Sequence, residues 1–328
     1  MSFPGVTLLN MPAVISSATP GIAYIGTDGY TTDGSVLVKD TAFSFLPKDG
    51  VTTNPWNSVG ATSEYGYDTS LIVEQGDVLI TVECWGAGGA GGDTHDTTTR
   101  FGGGGGSYNR ADFTLTPGEY RIIVGSGGHL NYTADAGKGG FGGGGGSGLY
   151  LSGTGVADGE DGNPAGIGGN NNVTTHQYQS GNVAGGGGGL TGLFNTTTLS
   201  QANALIISAG GGGAGSESGG QGHGGDQTSN SGGGGALFGT GGGAASLNTR
   251  FGGGGGSGYT GGAGDYIRGG FGGISYIHGD GANSYFEAGN QAGPPGGDDQ
   301  PNYVASFGGR TSTLSRGSNG MMVLTLLS

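Results

Sequence analysis

The histidines are the side chains of this sequence best suited to acid–base catalysis or metal binding, and their spacing favours neither role. None has a second histidine at the short spacing of a typical zinc site, because the five stand at His95, His129, His176, His223 and His278. The sequence contains no GxSxG nucleophile motif and no GxxxxGK(S/T) phosphate-binding loop. GxGxxG matches are frequent, as in any glycine-rich chain, but none stands between a predicted strand and a predicted helix. We therefore predict no catalytic residue, no metal site and no cofactor, and expect the histidines in solvated loops.

Clustered carboxylates are the second group with possible chemistry. Two carboxylates that face each other across a cleft can hydrolyse a glycosidic bond, and several converging oxygens can bind calcium. The candidate clusters are Asp93 with Asp96, Asp158 with Glu160 and Asp161, and Asp298 with Asp299. The fragments GGQGHGGDQ (219–227) and GDGAN (279–283) are distantly similar to calcium-binding β-roll repeats, but they are not in tandem. Solvated loop charge explains these clusters more simply than catalysis or calcium binding does.

Tyrosine is the residue of this chain whose chemistry best suits recognition. Its ring gives a large flat contact surface and its hydroxyl a hydrogen bond, with little loss of side-chain entropy. Sugars stack on such rings while acids and amides bind the sugar hydroxyls. The segment 259–288 is the preferred recognition region, and its candidate residues are Tyr259, Tyr266, Tyr276, Tyr285 and Phe286. The alternative is that these rings cover a glycine-rich core or make subunit contacts.

Net charge and cysteine content exclude several classes of protein. The chain of 328 residues has 10 Lys+Arg and 24 Asp+Glu, and its formal net charge is −14. This charge repels nucleic acid and anionic lipid surfaces. Cys84 is the one cysteine, so no disulfide forms within the chain. The first residues do not have the pattern of a secretory signal, and no apolar stretch approaches the roughly 18 residues of a membrane span.

Apolar runs with the alternation of β-strands are the elements that must position these side chains. Residues 71–73 and 78–85 form one predicted strand pair around Gly76-Asp77, and 110–124 form a predicted hairpin with a type II turn at Pro117-Gly118. Residues 204–209 and 321–327 are two further predicted strands. On 78–85 we expect Cys84 to be a buried apolar residue, with Trp85 as a second structural residue. No helical periodicity of useful length appears.

Glycine density divides the chain into two parts. Residues 1–70 contain 8 of the 87 glycines and residues 71–328 contain the other 79. We predict a β-rich or extended N-terminal segment over 1–70 and a glycine-rich domain over 71–328. Runs of glycine occupy 102–106, 142–146, 185–189, 210–213, 232–235 and 252–256. Three runs share a leading phenylalanine and a following serine, and Phe101, Phe141 and Phe251 are predicted to anchor those runs in an apolar layer.

Glycine runs have two possible structures. Gly-rich sequence usually forms flexible linkers. Here the runs alternate with good strands and have repeated flanks, which favours an ordered bundle of polyglycine II helices. In such a bundle each chain has three residues per turn and bonds laterally to its neighbours through N–H and C=O groups. We therefore predict a mainly β fold with little or no α-helix, in which short antiparallel strands frame a polyglycine II bundle.

The order of five segments carries a resemblance to a known family. These segments are VECWGAGGAGG (82–92), YRIIVGSGG (120–128), GKGGFGGGGGSG (137–148), ALIISAGGGGAG (204–215) and GSNGMMVLTLL (317–327). Together they resemble the glycine-rich domain of tailed-phage tail and fibre proteins, and the chain is similar in composition to the adhesins of phage long tail fibres. A similar domain occurs in the ectodomain of an animal receptor tyrosine kinase, but the absence of disulfides favours the phage proteins.

The resemblance implies a non-enzymatic virion surface protein, a tail-fibre or tail-tip adhesin that presents loops on a rigid scaffold. Its implied partners are a host receptor or glycan and other virion proteins bound through residues 1–70, with neither nucleic acid nor membrane insertion. A trimer is one possible assembly. A purely structural virion component, such as a capsid decoration or fibre connector, is the alternative, and a glycan-degrading fibre is a minor one.

Overall fold

The computed structural model shows a chain built mainly from short β-strands. It describes residues 22–25, 37–46, 66–93, 100–129, 137–147, 149–151, 155–157, 184–216, 220–226, 238–244, 246–247, 250–291, 294–305, 307–309 and 316–328. The strands up to residue 157 are β1 (Ile22–Ile25), β2 (Ala42–Phe45), β3 (Tyr67–Gln75), β4 (Val78–Trp85), β5 (Gly92–Asp93), β6 (Arg100–Phe101), β7 (Tyr108–Leu115), β8 (Gly118–Val124), β9 (Leu149–Leu151) and β10 (Gly155–Ala157). The later strands are β11 (Thr191–Phe194), β12 (Ala204–Ser208), β13 (Ser246–Leu247), β14 (Arg250–Phe251), β15 (Tyr276–Ile277), β16 (Ala282–Glu287) and β17 (Met321–Leu326).

Two antiparallel sheets hold the main strands. The six-stranded sheet has the order β1-β3-β8-β11-β12-β15, and the five-stranded sheet has the order β16-β7-β4-β17-β2. The only helical element in the described ranges is a 3₁₀ turn, Gln201–Asn203. The predicted mainly β class without α-helix is confirmed.

The two sheets pack face to face around one apolar core. Alternate residues of β4 point into this core, as the period-2 pattern predicts, and they meet Leu71, Ile122 and Ile206 of the other sheet. Cys84 lies in this core and is fully buried. Burial, with a smaller contribution from the Glu83 carboxylate, raises the pKa of its thiol well above the ordinary value. Cys84 is therefore an apolar core residue, as its place on the strand suggested.

Both predicted hairpins are wrong, although their strands are correct. β3 and β4 belong to different sheets, and so do β7 and β8. Each short connection therefore crosses from one sheet to the other. Gly118 already belongs to β8 and has no left-handed φ, so the predicted type II turn does not form. The alternation of apolar residues along a strand shows which face of that strand is buried, but not which strand pairs with it. Two consecutive strands can bury their apolar faces as neighbours in one sheet or as members of two sheets that face each other.

The described part of residues 1–70 contributes strands to both sheets. β1 pairs with β3 in the six-stranded sheet, and β2 pairs with β17 in the five-stranded sheet. β3 itself runs through residue 70. The change in glycine density at residue 70 is thus a change in composition within the sheets. The assignment of 1–70 as a virion-attachment domain stays a prediction.

Glycine-rich segments continue from one end of the paired sheets. They follow the last residues of β4, β8, β12 and β16 and precede the first residues of β7, β11, β15 and β17. Antiparallel pairing places all of these strand ends on the same side. We call these segments the glycine lattice, and they are 86–91, 102–107, 125–129, 137–147, 184–190, 209–216, 220–226, 239–244, 252–258, 260–264, 268–274, 288–290 and 316–320. The glycine run 232–235 lies outside the described residues.

Backbone hydrogen bonds join the lattice segments laterally with a period of three. Along 86–90, the N–H groups of Gly86 and Gly89 donate to carbonyl groups of 102–107. Those of Ala87 and Ala90 donate to 184–190, and that of Gly88 donates to 316–320. Segment 209–216 lies at the centre. It donates to 252–258, 86–91 and 220–226, and it accepts from 102–107, 184–190 and 268–274.

A helix with three residues per turn and no internal hydrogen bonds would produce this pattern. Polyglycine II geometry stays a prediction, and the period of three in the hydrogen bonds supports it. Ordering a glycine costs about 0.5–1 kcal/mol more than ordering an alanine. Each lateral bond returns about 0.5–1.5 kcal/mol net, so a lattice in which successive N–H groups are bonded offsets that cost.

The lattice leaves no space for side chains at most of its glycines. A Cβ atom on Gly212 would press against the carbonyl oxygen of Gly270, and one on Gly254 against that of Gly145, both far inside van der Waals contact. Alanine also occurs in the lattice, and Ala87 is fully buried there. Glycine is thus the packing material of this region.

Candidate functional site

The five predicted recognition residues lie in three separate places. Tyr259 and Tyr276 stack on each other, with ring centroids 4.1 Å apart. Tyr266 lies in the turn 265–268 and is 63% exposed. Tyr285 and Phe286 lie on β16, where Tyr285 is 47% exposed. The segment 259–288 therefore runs from the outer surface of one sheet, through the lattice, to the edge of the other, and is not one loop.

The Tyr259–Tyr276 pair is part of a small apolar cluster on the outer face of the six-stranded sheet. The cluster contains buried Ile123, Phe194 and Ile207, against which both tyrosines pack partly buried. These two rings thus cover the outer face of the six-stranded sheet. Phe286 is half-buried and lies opposite Asn109, on the other side of β16 from Tyr285.

The three phenylalanines that lead glycine runs are all buried, at two different ends of the lattice. Phe101 and Phe251 begin segments that run toward the sheets and reach them at Ser107 and Ser257. Phe141 instead packs against Leu190 beside the six-stranded sheet, and its glycine run leads away from the sheets. The same sequence string is therefore used in opposite directions.

The histidines and acids were expected to be exposed to solvent, and the structure agrees for only some of them. His129 is 3% exposed within the lattice, so the prediction of a solvated loop is wrong for it. His223 stacks on Phe271 at 4.6 Å, and burial lowers the pKa of its imidazole. Asp298 and Asp299 are exposed, as expected. The side chains of the other predicted acid clusters, together with His95 and His176, lie outside the described residues.

The outer face of the five-stranded sheet carries a buried polar network. The core takes alternate residues of β4, so Thr81, Glu83 and Trp85 point the other way. Strand register places Asp112 opposite Thr81 and Tyr108 opposite Trp85. Residues 294–303 extend over part of this face. We call this surface, from β4 across β7 to β16, the outer polar face.

Two buried carboxylates organise the outer polar face. Glu83 accepts a hydrogen bond of 2.8 Å from the Tyr108 hydroxyl and one of 2.6 Å from the Asn302 amide. Asp112 accepts one of 2.6 Å from the Thr81 hydroxyl and one of 2.6 Å from the Asn283 amide. Each carboxylate is therefore held by two donors.

These bonds fasten the parts of the chain that cover the sheet. Glu83 ties the loop that contains Asn302 to β4, and Asp112 ties the bulged start of β16 to β7. Asn283 has a left-handed φ of 49° at this bulge, a conformation that asparagine tolerates better than most residues. Burial and the Glu83 carboxylate raise the pKa of Tyr108 well above its ordinary value, so its hydroxyl stays a donor. The network is suited to holding a surface in place rather than to proton transfer.

Four aromatic rings form a row across the outer polar face. Ring centroids are 6.1 Å apart for Tyr303 and Trp85, 4.5 Å for Trp85 and Tyr108, and 5.9 Å for Tyr108 and Tyr285. The Trp85 indole N–H donates to the Gly297 carbonyl at 3.2 Å. Trp85 and Tyr108 are fully buried, so the row begins under the covering loop and ends at the exposed Tyr285 ring. Trp85 is therefore a structural residue that supports this surface.

Polar side chains flank the exposed end of the aromatic row. The Tyr285 hydroxyl donates to Glu287 at 3.2 Å. This hydrogen bond and the charges of Glu287 and Asp299 raise the pKa of Tyr285, so the hydroxyl keeps its proton. Arg110 lies directly opposite Tyr285 on β7 and is exposed. An open ring between a guanidinium and a carboxylate can bind a ligand that offers both hydrogen-bond donors and acceptors.

Sequence reasoning found Tyr285 but missed the residues around it. Glu83, Arg110 and Asp112 alternate with core residues on the same two strands, and this alternation is a signal that could have placed them together on one face. Glu287 is two residues from Tyr285 on the same strand, where period 2 places both on one face. Asn302 comes from chain far away in sequence, and only the fold brings it here.

Comparison with known proteins adds no family. No protein-family model matches the chain, and no curated protein matches it significantly. Within the described residues, no helix has the length and apolarity needed to cross a membrane. The same residues contain no group of three or more His, Cys, Asp or Glu side chains arranged to hold a metal ion.

Proposed function

We propose that this protein is a virion surface protein of a tailed phage, a tail-fibre or tail-tip adhesin that takes part in host attachment. Two kinds of support stand behind the proposal. One is the resemblance of the five glycine-rich segments to phage tail and fibre proteins. The other is a scaffold in which strands run directly into a hydrogen-bonded lattice.

The strongest support for host recognition is the placement of two exposed tyrosines. The two tyrosines among the exposed large apolar residues, Tyr266 and Tyr285, are both mounted on backbone that is held in place. Tyr266 lies in a turn where the Asp265 carboxylate accepts from the N–H groups of Ile267 and Arg268, at 3.1 and 3.2 Å. Tyr285 lies on β16, which is paired with β7, and Asn283 of the same strand donates a hydrogen bond to Asp112. Aromatic groups presented on rigid backbone lose little entropy on binding, which favours recognition.

The remaining parts of the proposal concern assembly. Residues 1–70 attach the protein to other virion proteins, the lattice has polyglycine II geometry, and the protein acts as a surface appendage without catalytic activity. Assembly as a trimer is consistent with a fibre component.

Competition for adsorption tests this function. Purified protein added to host cells should reduce adsorption of the phage that carries it, in proportion to the protein concentration. A heat-unfolded sample of the same protein is the control and should have no effect. If the folded protein does not bind host cells and does not slow adsorption, the adhesin proposal fails. A chain that instead binds only purified virion subassemblies is a connector or decoration protein.

A further inference from the structure

The exposed end of the aromatic row has the composition of a saccharide site. Tyr285 offers an open ring, which can stack against the apolar C–H face of a pyranose. Arg110 carries five N–H donors, and the carboxylate of Glu287 is an acceptor. Strand register puts Arg110 opposite Tyr285, and Glu287 lies two residues further along β16 on the same face, so a donor and an acceptor both neighbour Tyr285.

The site is preorganised by contacts behind the ring. Tyr108 packs against Tyr285 with centroids 5.9 Å apart, and Tyr108 is itself fixed by its bond to Glu83. The Tyr285 hydroxyl is bonded to one oxygen of Glu287, which leaves the second oxygen for a ligand hydroxyl. A ring supported in this way needs no rearrangement to receive a sugar.

Local charge selects among sugars. Glu287 and Asp299 place two carboxylate charges near Tyr285, against the guanidinium of Arg110. The whole chain carries a formal charge of −14. A sugar acid or a phosphorylated sugar would meet repulsion here, whereas a neutral sugar would not.

We propose that Tyr285, Arg110 and Glu287 form a binding site for an uncharged pyranose of a host surface polysaccharide. The ring of Tyr285 is its floor, and the hydroxyl groups of the sugar bond to Arg110 and Glu287. This inference rests on the proposed adhesin function and specifies the ligand class and the residues.

Matched tyrosine variants test the site. The probe is surface polysaccharide extracted from the bacterium to which the phage adsorbs, immobilised and titrated with the full-length protein. Tyr285→Ala should weaken binding at least about tenfold, the size of loss expected for a buried contact at the centre of a site. Tyr285→Trp should stay within about threefold of the wild type, because it keeps the stacking surface. Glu287→Gln should weaken binding less than Tyr285→Ala, because it keeps one acceptor oxygen.

Val38→Ala is the control, because Val38 is also an exposed apolar residue but precedes β2, at the opposite edge of the five-stranded sheet from β16. It should leave binding unchanged. Each variant is first checked for an unchanged thermal unfolding midpoint, and Tyr285→Trp provides a second test should Tyr285→Ala fold poorly. Equal binding by wild type and Tyr285→Ala, or loss with Val38→Ala alone, overturns the site while leaving the adhesin function intact.

Chemical treatment of the polysaccharide tests the ligand class. Periodate cleaves vicinal diols and should abolish binding. Reduction of carboxyl groups to alcohols should leave binding unchanged, because the proposed sugar is uncharged. Binding that survives periodate, or that disappears after carboxyl reduction, contradicts the proposal. If the wild type binds neither the polysaccharide nor host cells, the adhesin function and the saccharide site both fail.

Discussion

Side-chain contacts stabilise the paired sheets, whereas backbone contacts stabilise the glycine lattice. Between the sheets, side chains such as Ile80, Leu193 and Ile206 are fully buried against each other. In the lattice, backbone N–H and C=O groups bond laterally, and side chains are mostly absent. One region is held by removal of apolar surface from water, and the other by hydrogen bonds and close backbone contact.

One continuous piece of chain belongs to both regions. β12 contributes Ile206 to the core, and four residues after this strand ends Gly212 is enclosed by neighbouring backbones. The two residues respond to mutation in opposite ways, because the core loses stability when atoms are removed and the lattice loses it when atoms are added. Four measurements test this contrast.

Gly212→Ala should have the largest effect. Its new methyl group would overlap the Gly270 carbonyl, which belongs to a bonded backbone and cannot rotate away. We expect a loss of at least about 4 kcal/mol in the free energy of unfolding, in the range of severe core mutations, measured by guanidinium denaturation. Gly279→Ala is the control: nothing lies within 4 Å of its added Cβ, and its change should stay within about 0.5 kcal/mol. Similar small losses for both variants would show that the lattice is loosely packed.

Ile206→Ala should destabilise the protein by about 2–5 kcal/mol, because it leaves a cavity between the sheets. Ile206→Val should cost about 0.5–1.5 kcal/mol. Strands run directly into the lattice, so we expect the two regions to unfold together. Hydrogen exchange in Ile206→Ala should then accelerate by the same factor in β12 and in 209–216. Unchanged protection of 209–216 would mean that the lattice is stable by itself.

Ala214→Gly should cost about 1–2 kcal/mol, although it creates one more glycine in a region made of glycine. The variant loses a buried methyl group, worth about 0.8 kcal/mol, and gains backbone entropy in the unfolded chain, worth about 0.5–1 kcal/mol. Ala214 is fully buried. Thermal unfolding compared with Ala202→Gly, at an exposed alanine, separates the two contributions. A stabilising Ala214→Gly would show that the lattice prefers glycine at every position.

Alkaline pH should weaken the sheet region through Tyr108. Tyr108 holds its proton in the folded state, because burial and the Glu83 carboxylate raise its pKa above the ordinary value of 10.0. Above pH 10 the unfolded chain therefore binds fewer protons than the folded one, and the free energy of unfolding falls as pH rises. This residue alone should contribute about 1.4 kcal/mol of loss by pH 11.

Tyr108→Phe isolates that contribution. Its stability should fall less steeply between pH 9 and pH 11 than that of the wild type, by roughly the same 1.4 kcal/mol, in denaturation curves recorded at each pH. Parallel pH profiles for the two proteins would show that Tyr108 ionises as freely in the folded protein as in the unfolded one.

Strand positions were predictable and strand partners were not. The alternation in 78–85 located β4 to the residue, because period 2 depends only on local geometry. The partner of β3 was predicted to be β4, whereas β3 pairs with β1 and β8. Two short strands whose apolar sides face each other can lie in one sheet or in two. The repeated string around Phe101 and Phe141 also suggested equivalent elements. Glycine has no side chain that distinguishes the two directions of a run, so the fold uses both.

The exposed surface was predictable only in part. Of the tyrosines proposed for recognition, Tyr266 and Tyr285 are exposed, whereas Tyr259 and Tyr276 pack on a sheet. The sequence flanking these tyrosines does not separate the exposed rings from the covered ones, because burial depends on which element packs against each ring. Glu83 with Asn302 depends on residues 219 positions apart, a separation that no local pattern reports.

The mainly β class, the burial of Cys84 and the need for glycine after residue 70 follow from the sequence alone, because each depends on local periodicity or on the volume of a side chain. Tertiary packing selects which strands pair, in which direction each glycine segment runs and which tyrosines face solvent. These depend on contacts between distant segments: lateral backbone bonds have the same chemistry at every glycine, so only the packing of the whole chain selects their partners.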